Sequence, residues 1–257
     1  MRGIIAQWSP ELQNSLRKFK AGTRHLDSEG RQHWDCELAT NEDDLLSLHA
    51  CFRGLYGASC SKLYVACKHI QSALPRHDYL EYALFWRVML EQTAVLVHIA
   101  VKLAPLFENG YKDDLSDFVS SVITSVAGGR FNWNEFVRVG FEGLLTNPEA
   151  RKPQLNQVNI LTCVQRWGKI EPRIFLLYEI LCETVHPNFG SNMLFMHEVR
   201  KSRGFSLKSP SDLGDFMVWN TFEEVCHVQG RALGGLRAMR HVVEKGRARE
   251  KKQRSRD

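Results

Sequence analysis

Two short stretches of this sequence combine residue types that hold anions and move protons. In the first, Arg87-Val-Met-Leu-Glu91 places a guanidinium and a carboxylate four residues apart within an apolar run, a spacing that makes them neighbours on one helix face. If that face is covered by other parts of the chain, both charges must be paired. In the second, Tyr178-Glu-Ile-Leu-Cys-Glu183-Thr-Val-His186-Pro-Asn188 ends a helical run on a histidine. Its imidazole stands at a helix C-terminus, three residues after Glu183, where the charged form is favoured and titration near neutral pH permits general acid or base work. His98 shares the Arg87 face but lies roughly 16 Å further along the axis at about 1.5 Å per residue, too far to join the same small cluster.

A basic run supplies a different chemistry. Residues 237–257 carry nine Lys and Arg against Glu244, Glu250 and Asp257, a net +6, so the rest of the chain sums to −1. Within it Arg247, Arg249, Lys251, Lys252, Arg254 and Arg256 are candidate phosphate contacts that bind nucleic acid by charge without sequence preference. A metal centre is a third chemistry. Glu183-Thr-Val-His186 and Glu224-Val-Cys-His227 both have the Glu-x-x-His spacing of di-metal bundles, with Glu91 as a further ligand. Pro187, directly after His186, interrupts the regular helix such a core requires, so no metal and no other cofactor is expected. Gly128-Gly129-Arg130 belongs to neither GxxxxGK[ST] nor a strand-led GxGxxG, which disfavours phosphate-loop nucleotide hydrolysis.

The elements that must position these groups are helices. The chain has 257 residues, 44% hydrophobic and 25% charged, which excludes disorder, collagen and a disulfide miniprotein. Seven cysteines without a CxxC pair point to reduced thiols in a cytoplasmic protein. The apolar run 93–107 is interrupted by His98 and Lys102 and is shorter than the roughly 20 residues that span a bilayer, so no membrane association is expected. Helical spacing dominates and hairpin signals are missing, giving an all-α, single-domain bundle over 1–245 with a flexible basic tail over 246–257.

Ser9-Pro10-Glu11 opens a short helix to about 21, followed by a polar loop over 22–40. Asn41 caps a long helix to about 73, and a turn at Pro75 leads into a second over 77–106, antiparallel to the first. Shorter helices follow over 113–127, 132–145, 154–169 and 172–185. The stretch 198–211 reads as a basic loop, and Ser211-Asp212 opens a last long helix towards residue 245.

With both motifs on helices, the pairing of Arg87-Val-Met-Leu-Glu91 with the Tyr178 to Asn188 stretch resembles bacterial helical proteins related to the HEPN (higher eukaryote and prokaryote nucleotide-binding) superfamily. The resemblance covers roughly residues 80–192 and the final helix. That superfamily's R-x(4–6)-H motif has no counterpart here: no arginine precedes a histidine with four to six residues between, and Arg237-Ala-Met-Arg-His241 has three. The resemblance implies a dimerising bundle that acts on RNA in antiviral defence or as a toxin, with arginine and histidine forming a metal-independent endoribonuclease site at a dimer interface. Carried onto this sequence, it implies that Arg87 and His186 meet in space. Glu91, Glu183 and Asn188 then orient them, and Tyr178 lines the site. The implied partners are RNA such as tRNA, a second copy of the chain and a protein of a defence system. The alternative is a non-catalytic interaction or regulatory module of a defence complex.

Overall fold

The computed structural model describes residues 8–31, 45–109, 132–147, 152, 159–186, 192, 196–199, 204–207 and 212–254. Its helices are α1 (Pro10–Gly30), α2 (Leu45–Ala73), α3 (Tyr79–Asn109), α4 (Trp133–Thr146), α5 (Ile160–Ile170), α6 (Pro172–Val185) and α7 (Asp212–Arg254), and the protein is all-α in class. Two four-residue strands, β1 (Met196–Val199) and β2 (Gly204–Leu207), precede α7. The expected helix over 113–127 and the Asn41 cap lie outside the described residues.

α2 and α3 form the long antiparallel pair that their spacing predicts. A single 3-10 turn, Leu74–Arg76, joins them, and His77 follows it with φ 54°, in the left-handed region. That conformation is uncommon for a residue with a side chain, and the surroundings hold it. His77 Nδ1 lies 2.7 Å from the Tyr79 hydroxyl and 3.3 Å from Asp215 Oδ1, and the Tyr79 hydroxyl donates to the same carboxylate. The turn is thereby tied to the first turn of α7.

α3 is the central helix, packed by α2, α5, α6 and α7. Over Tyr79–Leu103 it has the length and mean hydropathy of a membrane span. Position explains part of this: Tyr82, Trp86, Met89 and Leu90 are fully buried, while Leu80, Leu84, Val88 and Val101 add apolar residues on an exposed side.

α1 corrects the expected boundary at residue 21, running nine residues further through Gly22. Gly22 serves as a point of close approach, since a Cβ there would sit 2.5 Å from Gln229 Oε1 of α7. Gln229 Nε2 in turn donates to the Phe19 carbonyl at 3.1 Å and to Thr23 Oγ1 at 3.3 Å. The polar residues that read as a loop find partners on neighbouring helices. Glu29 is buried and accepts from the Tyr56 hydroxyl at 2.6 Å and from Arg240 Nη1 at 3.0 Å, linking α1 to α2 and α7. Phe19 and Trp8 pack against Phe222 with centroid distances of 5.8 and 4.7 Å, adding aromatic contacts to the same interface.

Two further boundaries are corrected. The basic loop over 198–211 contains part of an antiparallel ladder, in register Met196↔Leu207 to Val199↔Gly204. Strands of four residues are too short to display alternation, and no Asn-Gly or Asp-Gly turn marks them. α7 extends through Arg254 and so includes most of the segment expected to be a flexible tail. Ala, Glu, Lys and Arg dominate its last turns and are strong helix formers, and Arg240 Nε donates to Glu244 Oε1 at 2.9 Å one turn on. α4 begins as expected, with Asn132 Oδ1 accepting from the Glu135 amide, and kinks at Gly140, φ 70°. α5 begins later than its spacing predicts, at an Asn159 cap, and residues 153–158 before it lie outside the described residues.

Candidate functional site

α3 and α6 position the two motifs. α6 starts with Pro172 at its first position and buries Ile174, Leu177, Leu181 and Thr184 against the core. Tyr178 and Cys182 remain half-buried beside α3. The helix ends at His186, whose backbone is extended with φ −79° and ψ 150°, because the proline that follows disfavours the helical region for the residue before it. The His186 amide still donates to the Cys182 carbonyl at 3.1 Å, so the side chain leaves the last turn in a defined direction.

Four of the sequence-predicted residues come together there. Arg87 Nε donates to Glu91 Oε1 at 2.9 Å, Arg87 Nη1 lies 3.3 Å from His186 Nε2, and the guanidinium carbon stands 5.6 Å from the centre of the Tyr178 ring. A guanidinium can only donate, so this contact is a hydrogen bond when Nε2 is unprotonated and Nδ1 carries the ring proton. All four residues belong to one chain, and no second copy is needed to form the Arg87–His186 pair. The Arg87 side chain is 21% exposed and that of Glu91 28%, while His186 is exposed; the pair is supported on one side and open on the other.

Electrostatics keep Arg87 charged. Burial works against its cation, but the Glu91 hydrogen bond and charge outweigh it and the net shift is upward. Burial also pushes the Tyr178 phenol up, with Cys182 and Glu91 adding to the effect and Arg87 opposing it, so the phenol keeps its proton at neutral pH. A fixed cation, an imidazole and a protonated phenol on an open face can hold an anion and, when the imidazole Nε2 is unprotonated, accept a proton beside it.

Glu183 is on the exposed side of α6, one turn before His186, and Asn188 lies outside the described residues. Arg247, Arg249, Lys251, Lys252 and Arg254 occupy the last turns of α7, and Arg256 lies outside the described residues. Cys182, one turn after Tyr178, is a neighbour that sequence reasoning did not single out; its i,i+4 spacing from Tyr178 was the available signal.

The di-metal arrangement is not formed. His186 faces Arg87. His227 Nε2 lies 2.6 Å from Glu171 Oε2, while Glu224 Oε1 accepts from Arg173 at 2.8 Å. Among the described residues no three His, Cys, Asp or Glu side chains converge as a group that could hold a metal ion. Glu171 also accepts from Trp167 Nε1 at 3.1 Å and pairs with Arg231. Burial alone would raise its carboxyl, but the hydrogen bonds from His227 and Trp167 and the Arg231 charge hold it below its ordinary value. This network ties α7 to the α5–α6 junction, and no spacing in the sequence announces it. Comparisons of this chain with protein-family models, with curated proteins and with solved structures find no match.

Proposed function

We propose that this protein binds RNA and cleaves its backbone without a metal, using Arg87 and His186. The observation that carries the reading is the contact between these two side chains, 99 residues apart in sequence, on a half-open face with Glu91 and Tyr178 beside them. Once the phosphate takes over the Arg87 guanidinium, the His186 Nε2 lone pair is released and takes the proton of a ribose 2′-hydroxyl as its oxygen attacks the adjacent phosphorus. Arg87 balances the charge of the phosphorane, and the 5′-oxygen leaves with a proton drawn from water while His186 returns its proton to the solvent, producing a 2′,3′-cyclic phosphate and a 5′-hydroxyl. A positioned base contributes about 10²–10⁴-fold and one charge-stabilising donor about 10²–10³-fold. Glu91 and the Tyr178 ring hold the guanidinium plane in place, and the cationic end of α7 adds phosphate affinity without sequence preference. The resemblance further implies a cytoplasmic homodimer of defence or toxin type; a monomeric mass in light scattering at micromolar concentration removes the dimer.

The test is incubation of wild type, His186→Ala and Arg87→Gln with total cellular RNA, with and without EDTA. The expected result is cleavage by wild type alone, indifferent to EDTA, with 2′,3′-cyclic phosphate ends. Equal cleavage by folded His186→Ala overturns the assignment. A second reading, a non-catalytic interaction module, is favoured by the stripe Leu80, Leu84 and Val88, exposed on α3 beside Arg87. It expects no cleavage by any of the three proteins.

A further inference from the structure

On the Arg87 face of α3, three turns further along, His98 meets Arg166 of α5. Arg166 Nη1 lies 3.4 Å from Nδ1 and 3.5 Å from Nε2 of the same imidazole. Being nearly equidistant from both ring nitrogens, it lies on neither lone-pair axis, so the two groups are packed together as potential like charges. Several other arginines meet carboxylates: Arg76 faces Glu81, Arg87 Glu91, Arg173 Glu224 and Arg240 Glu29. Arg166 faces no carboxylate among the described residues.

Further cations surround this contact. Lys102 follows His98 by one turn of α3, and Lys169 follows Arg166 on α5. Burial first, and then the positive charges of Lys102 and Arg166, hold the His98 imidazole below its ordinary value, the response of a basic group that is both desolvated and near cations. Beside it, between α5 and the start of α6, lies a shallow cavity open to solvent, of about 560 Å³, lined by Thr162, Gln165, Arg166, Lys169, Pro172 and Phe175. Its lining combines the cations Arg166 and Lys169, the polar Thr162 and Gln165, and the apolar Phe175 and Pro172. Its volume is that of a small-molecule site.

We propose that Arg166 and Lys169 form a phosphate subsite in this cavity, with His98 and Lys102 reinforcing its charge and the attached nucleoside resting on Phe175 and Pro172. The proposal rests on the RNA reading only for the source of the phosphate. Along α3, His98 is roughly 16 Å from Arg87 at about 1.5 Å per residue, a span of about five stacked nucleotides at about 3.4 Å each. A strand whose scissile phosphate lies at Arg87 reaches this cavity with a phosphate about five nucleotides away.

The test is an NMR pH titration of the His98 imidazole, identified by the signal lost in His98→Gln, in the full chain with inorganic phosphate and with a ten-nucleotide oligouridylate. An anion in the subsite offsets the crowding, so the His98 midpoint moves upward on addition and does not move in Arg166→Gln. Oligouridylate affinity, read by fluorescence anisotropy, falls at least about tenfold in Arg166→Gln, the loss of one charge-assisted contact. It stays unchanged in the exposed control Arg17→Gln. Movement with both probes identifies backbone phosphate as the source, and movement with inorganic phosphate alone identifies a small phosphorylated ligand. No movement with either, or the same movement in Arg166→Gln, overturns the subsite. Because His98 is read directly, the result is independent of cleavage: loss of the His186 assignment leaves the subsite standing, and the reverse also holds.

Discussion

Replacing Arg87 with glutamine separates support of the fold from chemistry. Three contacts are lost or weakened. An i,i+4 ion pair is worth about 0.3–0.5 kcal/mol when exposed, and this one is held at 21% and 28% side-chain exposure. The guanidinium over Tyr178 adds about 0.5–1 kcal/mol, and the hydrogen bond to His186 about 1 kcal/mol. Glutamine can still donate to Glu91, so the expected cost is about 1–2 kcal/mol. At about 2–4 °C per kcal/mol for a chain of this size, Tm falls by roughly 2–8 °C. Against a total stability of about 5–15 kcal/mol, the variant remains folded. Its cleavage rate on a fluorogenic RNA, assayed well below its Tm, is expected to fall by about 10²–10³. A thermal double-mutant cycle with His186→Ala should give a coupling of about 0.5–1 kcal/mol. A rate loss no larger than the gain in unfolded fraction, or zero coupling in the cycle, refutes the assignment.

Glu29→Ala leaves the buried Tyr56 hydroxyl without its acceptor and Arg240 without one carboxylate. With Arg240 43% exposed, a loss of about 2–3 kcal/mol is expected in urea unfolding. Gly22→Ala gains up to about 1 kcal/mol of helix propensity, but its methyl would lie 2.5 Å from Gln229 Oε1. Since Gln229 is anchored to Phe19 and Thr23, a net destabilisation of about 1–2 kcal/mol should appear as a lower Tm. The folded-state pKa of Glu171 is depressed, so its stabilisation is complete above the ordinary value of 4.5 and disappears as pH falls through the folded value. The urea midpoint should drop below pH 4.5, and by less in Glu171→Gln. Burial pushes the Cys60 and Cys67 thiols up to about 12, so peptide mapping after a brief exposure of native protein to a thiol reagent should find both unmodified.

Much of the fold is legible locally. The apolar spacing of α2 and α3, the Pro172 start of α6 and the proline after His186 each act within a few residues, so the chain alone reports them. The misread boundaries share a different origin. Gly22 resembles a helix end until Gln229 is seen against it. The polar residues after it look solvated until Glu29 is found between Tyr56 and Arg240. The four-residue strands carry too little pattern to be distinguished from a loop. In the site, Arg87 with Glu91 was readable because i,i+4 neighbours follow from helix geometry, and His186 because of its place at a helix end.

The all-α class, the order of the main helices, the Arg87–Glu91 pair and the end of α6 were determined by the sequence, because each depends on interactions within one or two helical turns. Only the tertiary structure decided that His186 and Tyr178 meet Arg87. It also decided that His227 faces Glu171 instead of joining a metal group, and that Arg166 lies against His98 beside a cavity. Those contacts join residues far apart in sequence, and their geometry is fixed by how α3, α5, α6 and α7 pack together, which no spacing along the chain encodes.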